Sequence, residues 1–447
     1  MSGIAARRKG APVAVSAPRV PLSAQGRLRR YAWLSGMGFT ALLSGFTPTA
    51  VHAAQFGSTA WFAARSANIS NPPAANGPSS GVPGAVITPA QALIQAQRSI
   101  ADMSRAAQAI QAAQNAQVLS AQNALQTEPN VPDGLAPGGL QVAPGVPQKL
   151  SSPQPGEDPS LWQNAKLPTQ ATSKGVTTVT VQQTAQKAIL TWQTFNVGKH
   201  TTLDFDQSAG TQSNGTNNWI ALNRVLDNSA NPALILGQVK AQGTVYLIDT
   251  NGIIFGGSSQ INVHSLLASS LPLFSSDVGT SNQFFLTKGL GDATGSSQPL
   301  LDGSAMANSG KLPGNISIQS GASINTGEQG FSLIAAPNIS NAGTITADDG
   351  QAILAAGVTL QQAGTTQQSA SSSASQNLAP VLSYAPPADD KLASFGALIN
   401  SGLIVSTRGN VSLLACNVAQ DGVLVASSSV TVPGSIVIQA EDEQAGA

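Results

Sequence analysis

Hydrophobic positions from Val176 onward come in short runs of two kinds. In the first kind they alternate with polar residues. Val179 and Val181 alternate with threonines, and Leu203 and Phe205 alternate with Asp204 and Asp206. Such alternation predicts strands with one buried face, and puts the two carboxylates together on the opposite face. The second kind is continuous, as in Val245–Ile248 and Ile253–Phe255, and is flanked by turn residues. Asn251-Gly252 between those two runs predicts a tight turn, because both residue types adopt positive φ at low cost. Upstream the period is different. Leu93, Ile100, Met103, Ala107 and Ile110 recur at spacings of seven, three, four and three. That is helical spacing, and Thr88 as N-cap with Pro89 in the first turn predicts a helix over 88–127. Its apolar stripe is thin and mostly alanine, which suits a spacer.

The strand-like runs repeat. Asn341-Ala342-Gly343-Thr344-Ile345-Thr346-Ala347-Asp348-Asp349-Gly350, followed by Gln351-Ala352-Ile353-Leu354-Ala355-Ala356, aligns without a gap on Asn400 to Ala415. A further copy ends at Gly330-Phe331-Ser332-Leu333-Ile334-Ala335-Ala336, so Gly330 and Gly350 stand one period of 20 residues apart. A period of this length with two short β runs and glycine corners predicts a β-solenoid, since one coil cannot bury its own inward face. The expected fold is all-β, a right-handed parallel β-helix over 165–447 with about ten coils. Before it lies an Ala/Gln/Pro-rich linker over 55–164 that contains the helix. Residues 361–397, rich in Ser and Gln with Pro386-Pro387, read as a loop between coils.

The N-terminus carries a targeting pattern. Tyr31 to Phe46 is an apolar run of 16 residues behind Arg27, Arg29 and Arg30. It is shorter than the roughly 20 residues a spanning helix needs. Small residues follow, and Val51-His52-Ala53 fits a signal-peptidase site, so residues 1–54 read as a signal peptide cleaved near Ala53 or Ala54.

Composition narrows the function. Charged residues are 9% and aromatics 4%, unlike both a charged disordered chain and a compact enzyme with a large aromatic core. The zero net charge hides an asymmetry. Residues 1–54 hold seven basic residues and no acidic ones, leaving 14 basic against 21 acidic residues, a net of −7. A mildly acidic mature chain offers no basic patch for nucleic acid. Cys416 is the single cysteine, so no intrachain disulfide can form. It reads as a small inward core residue. His52, His200 and His264 are scattered, and no metal or cofactor site is expected. Asp204 and Asp206 could serve as an acid/base pair in a β-helix enzyme acting on polysaccharide, but a solvated strand face explains them as well.

One segment carries a family resemblance. Gln186-Lys187-Ala188-Ile189-Leu190, Trp192, Phe195-Asn196-Val197, Asn223-Arg224-Val225, Ile235-Leu236-Gly237, Asn251-Gly252-Ile253, Ile261-Asn262-Val263 and Ala268-Ser269 occur in that order. The series resembles the haemagglutination-activity domain of two-partner secretion exoproteins, the filamentous haemagglutinin family. The resemblance implies a non-enzymatic adhesin-like protein of a Gram-negative cell, secreted or held at the cell surface. It would cross the inner membrane by the Sec translocon and the outer membrane through a dedicated β-barrel with periplasmic POTRA domains. A cell-surface receptor would be its target. It places the export-recognition module at 165–285, followed by further coils at 286–447, and gives Asn251, Gly252, Ile253, Asn223 and Arg224 as its site residues. The family motif is usually Asn-Pro-Asn-Gly-Ile; here Asp249 and Thr250 stand in its first two positions. Its role is open between secretion and simple folding of a corner. The resemblance also suggests a structural role for Arg224, pairing Asp227 or bonding turn carbonyls.

Overall fold

Most strands of the protein stack in register on their own repeats. The structure is a computed structural model and describes residues 89–213, 215–274, 278–288, 300–308, 312–362, 380–383, 396–426 and 435–440. The segment expected to be a signal peptide, the cleavage site expected at Ala53 or Ala54, and most of 361–397 lie outside these residues. Of the unit Met1–Ile100 only the start of a helix is described, and the unit Ala101–Ala447 holds the rest.

Three long sheets wind around one core. The first contains the parallel strands Lys187–Phe195, Ile220–Val225, Thr244–Asp249, Ser265–Ser269, Phe331–Ala336, Gln351–Ala356, Asn410–Ala415 and Ser435–Ala440. The second runs from Ala233–Ile235 through Ile253–Phe255, Ile316–Ile318, Ile339–Asn341 and Ala397–Asn400 to Asn417–Gln420. The third runs from Val176–Gln182 to Val423–Ala426. The chain visits the second, third and first sheets in turn and then starts the next coil, which makes a parallel β-helix.

The repeats noticed in the sequence are the hydrogen-bond register. Asn341 pairs with Asn400, Ile345 with Ile404 and Leu354 with Leu413, and Phe331 pairs with Gln351. Stacking brings identical chemistry together: Asn341 Nδ2 donates to Asn400 Oδ1 at 2.7 Å, and Asn400 Nδ2 to Gln420 Oε1 at 2.8 Å. These amides lie inside the coil, so each satisfies the next. A glycine column turns the corner before the first sheet, where a Cβ on Gly350 would stand 1.9 Å from Gly330 O.

The inward rows form the core. Leu190, Leu247, Ala268, Ile334, Leu354 and Leu413 stack in one row, and each fully buried Leu or Ile contributes about 2 kcal/mol. The N-terminal end is the aromatic end. Trp162 meets Trp192 edge-on at 5.2 Å, and Trp192 meets Phe195 at 5.6 Å. Antiparallel strands Leu140–Val142, Trp162–Gln163 and Thr169–Ser173 close this end and occupy edges that would otherwise be open.

A second apolar layer covers the outside of the first sheet. Ile189, Leu222, Tyr246, Leu267, Leu333 and Ile353 point outward there, yet all are buried beneath Leu271, Leu273, Phe274, Phe285 and Leu360. Sheets buried on both faces show continuous apolar runs, while half-solvated ones alternate. This separates Val245–Ile248 in the first sheet from Val176–Gln182 in the third.

Two expectations change. Eight strands stack in parallel in the first sheet among the described residues, rather than about ten, because long excursions after Ser269 and Ala356 consume chain without adding coils. The span read as a loop opens inside a strand, Thr359–Gln362, whose Gln361 and Gln362 pair antiparallel with Val381 and Pro380 of that span, while Thr359 and Leu360 just ahead of it also pair with Leu301–Asp302 from the earlier excursion. That partner is distant in sequence, so local composition carries no trace of the pairing.

The helix spans Pro89–Thr127. Its C-terminal part lies against turns between the second and third sheets. Lys199 Nζ donates to Leu125 O at 3.1 Å and to Glu128 O at 2.9 Å, placing a cation at the negative helix end.

Candidate functional site

The Asn251-Gly252 turn joins the first sheet to the second. Asp249 ends the strand Thr244–Asp249 on the inward side, fully buried. Its Oδ1 accepts from Asn251 N at 2.9 Å and its Oδ2 from Ala233 N at 3.0 Å. Burial pushes the carboxyl up to about 7; the two backbone N–H bonds act in the opposite direction, and the charge of Asp227 adds to the rise. An aspartate thus makes the short side-chain turn expected of an asparagine here, without the proline.

Gly252 has φ +105°, and a Cβ there would stand 2.5 Å from Asn315 O. Both facts require glycine. Asn251 Nδ2 donates to Asp227 O at 2.7 Å, which ties the corner to the 226–232 excursion of the preceding coil. Ile253 is fully buried and pairs with Ala233 on one side and Ile316 on the other. The motif is therefore a corner whose side chains are spent on three consecutive coils.

Asn223 and Arg224 are neighbours in sequence with opposite surroundings. Asn223 points into the core, where its Oδ1 accepts from Trp192 Nε1 at 2.9 Å and its Nδ2 donates to Tyr246 O at 3.1 Å. Arg224 points outward beneath the helix Val278–Lys288 and is 4% exposed. Its Nη2 donates to Ser281 Oγ at 2.5 Å, while its Nε has no partner. Burial lowers its pKa to about 10. The suggested pairing with Asp227 is not made; alternation places Arg224 on the outer face, and Asp227 instead bonds Ser229 N in its own excursion.

The remaining candidates do not converge. Asp204 and Asp206 share the outer face of one strand. Asp204 stands opposite Lys240 on the next strand, and burial together with Asp206 raises its pKa while Lys240 lowers it. Asp206 Oδ1 accepts from Ser208 Oγ at 2.6 Å and serves the turn. His200 N donates to Asp133 Oδ1 at 3.0 Å, and burial lowers the pKa of His264. Among the described residues no group of three or more His, Cys, Asp or Glu could hold a metal ion. Cys416 is partly exposed at the corner after Asn410–Ala415 rather than in the core, because Val411, Leu413 and Ala415 are the inward positions of that strand and alternation leaves the next residue off the core face.

Sequence reasoning missed a buried amide ladder. Gln207 is fully buried; its Nε2 donates to Gln183 Oε1 at 2.9 Å and its Oε1 accepts from Gly243 N at 2.7 Å. The signal was present: Gln183 and Gln207 each stand two residues after the in-register pair Val181 and Phe205.

The family model of the TPS secretion domain matches residues 154–446. A heme/hemopexin-binding protein of Haemophilus influenzae is 33% identical over 95 residues, which are 21% of this chain and 9% of that protein. A second protein of the same name from a strain of that species is 30% identical over 95 residues, 21% of this chain and 10% of its own length. The similarity thus spans about a tenth of these relatives. The solved HMW1 secretion domain of Haemophilus influenzae is 22% identical, with a TM-score of 0.45 and coverage of 63% of this chain and 62% of that one.

Proposed function

The chain belongs to the TPS secretion domain family, and from that membership we propose that its corner at Asp249–Ile253 is read by its cognate transporter during export. The protein is an exoprotein of a two-partner secretion system, exported to the medium or the cell surface, and its partner is the cognate outer-membrane transporter. The finer reading is ours. The leader directs the chain through the Sec translocon, and the unfolded chain meets the POTRA domains of a β-barrel in the periplasm. The coils then stack outside the cell. We assign the recognition segment to 165–285, with the coils after 286 extending the same stack. Asn251, Gly252 and Ile253 present the turn, and Asn223 and Arg224 hold the strand beside it.

The observation that supports this reading is the packing of the corner. It connects the preceding coil through Asp227, its own strand through Asp249 and the next coil through Asn315. Such a corner can seed stacking, because each coil needs a formed neighbour to complete its hydrogen bonds. After release we propose a non-enzymatic role in adhesion or surface interaction. The relatives are named for heme and hemopexin, but the shared tenth of their length is read here as the export module.

Secretion with and without the cognate barrel, for wild type and Asn251→Ala, tests the reading. Export should require the barrel and fall sharply in the variant, while purified Asn251→Ala still gives the β-rich circular dichroism of the wild type. Barrel-independent export, or undiminished export of the variant, would refute it.

A further inference from the structure

Two cations of the first sheet touch the helix Val278–Lys288, one toward each end. Lys187 Nζ donates to Leu286 O at 3.2 Å and to Thr287 O at 3.3 Å. A cation suits that end, because the last carbonyls carry the negative end of the helix dipole. Arg224 meets the opposite end. Its Nη2 donates to the hydroxyl of Ser281, which lies in the first turn of the helix. The first turn holds the free N–H groups and the positive end of the dipole. A guanidinium there is opposed by the helix, whereas Lys187 is favoured by it.

No charge of the described chain offsets this arrangement. Arg224 is 4% exposed and Ser281 is fully buried. Nη2 is the one guanidinium nitrogen with a partner among the described residues, and that partner is neutral; Nε has none. Burial is the sole influence that moves the pKa of the group, so no carboxylate lies close to it among these residues. Thr191 stands beside Arg224 on the neighbouring strand, fully buried, and its Oγ1 also lacks a partner. A buried cation without a counter-charge is costly, and so is each unpaired polar group next to it. A water molecule could satisfy the hydrogen bonds but not the charge.

We propose that Arg224, Thr191 and the first turn of the helix Val278–Lys288 form a binding site for one small monovalent anion of about the size of chloride. The anion accepts from the guanidinium nitrogens that Ser281 leaves free and from the Thr191 hydroxyl, and it faces the positive end of the helix. It must be small, because so little of Arg224 is open. Phe285 of the same helix packs on Tyr246 with ring centroids 6.0 Å apart. The anion therefore pins to the first sheet the helix that covers its outer apolar face.

Urea unfolding of the purified protein tests this, with chloride replacing gluconate at constant ionic strength. Gluconate is too large for the site. Raising chloride from about 1 to about 300 mM should raise the wild-type midpoint in a saturable way. The chloride NMR resonance should broaden on adding wild type, and bromide should reverse the broadening. Arg224→Met should fold, be at least as stable as wild type in gluconate, and bind chloride at least about tenfold more weakly. Thr191→Val keeps the volume and should weaken chloride binding in the same direction. A wild type indifferent to chloride, or an equal chloride response in Arg224→Met, would overturn the proposal. Asp277 precedes the helix in sequence and lies outside the described residues. Asp277→Asn should leave chloride binding unchanged; a variant that binds chloride where wild type does not would make that carboxylate the counter-charge and overturn the proposal too. None of these results bears on export, which is read in a separate assay.

Discussion

Asp249 makes the stability of the secretion domain depend on pH with a sign opposite to most carboxylates. Its pKa rises on folding from an ordinary 3.8 to about 7, mainly because the group is removed from water. A raised folded pKa means that folding favours the protonated form. The contribution is fully present below about pH 4 and is lost as pH rises through about 7. A rise of this size corresponds to about 4 kcal/mol lost between those limits. Asp249→Asn removes the titration. The amide oxygen can still accept from Asn251 N–H, and Ala233 N–H keeps its second acceptor, Gly252 O at 3.0 Å. The substitution thus forfeits one hydrogen bond, about 1 kcal/mol. At pH 8 the variant should be more stable by about 3 kcal/mol, and at pH 4 slightly less stable than wild type. Urea unfolding at intervals from pH 4 to 8, read by circular dichroism, gives both curves. Asp204 has the same sign and His264 the opposite one, but both are common to the two proteins and cancel in the difference. A difference curve that is flat across this range would show that Asp249 stays ionised, held by its two N–H donors, and the reasoning would fail.

Two further substitutions test the corner and its neighbour. Gly252→Ala must adopt φ +105° with its methyl group 2.5 Å from Asn315 O, so chemical denaturation should show a loss of about 2 kcal/mol or more. Arg224→Met keeps the volume and removes a buried cation that has one neutral partner. Its stability should stay within about 1 kcal/mol of wild type or rise; a loss of about 3 kcal/mol in the same assay would mean that Arg224 is held by an anionic partner.

The coil register was legible in the chain because a solenoid writes its tertiary contacts as sequence repeats. Asn341 and Asn400, or Gly330 and Gly350, occupy the same place in successive coils, so aligning the repeats aligns the hydrogen bonds. The corner at Asn251-Gly252 was legible for a local reason, since the positive φ of Gly252 selects glycine wherever the turn sits. What local pattern cannot carry is which distant surface covers an outward face. The apolar residues alternate with core residues along the first sheet, and only the folded chain shows Phe285 and Leu360 lying over Leu222 and Leu333. The same layer gives Arg224 its partner Ser281, 57 residues away, and makes the antiparallel pair inside the Ser/Gln-rich segment. The alanine stripe of the helix likewise marks a helix but not its seat. That seat exists because turns at Gly257, Gly321 and Ala342, brought together only by stacking, are small enough to admit a helix backbone.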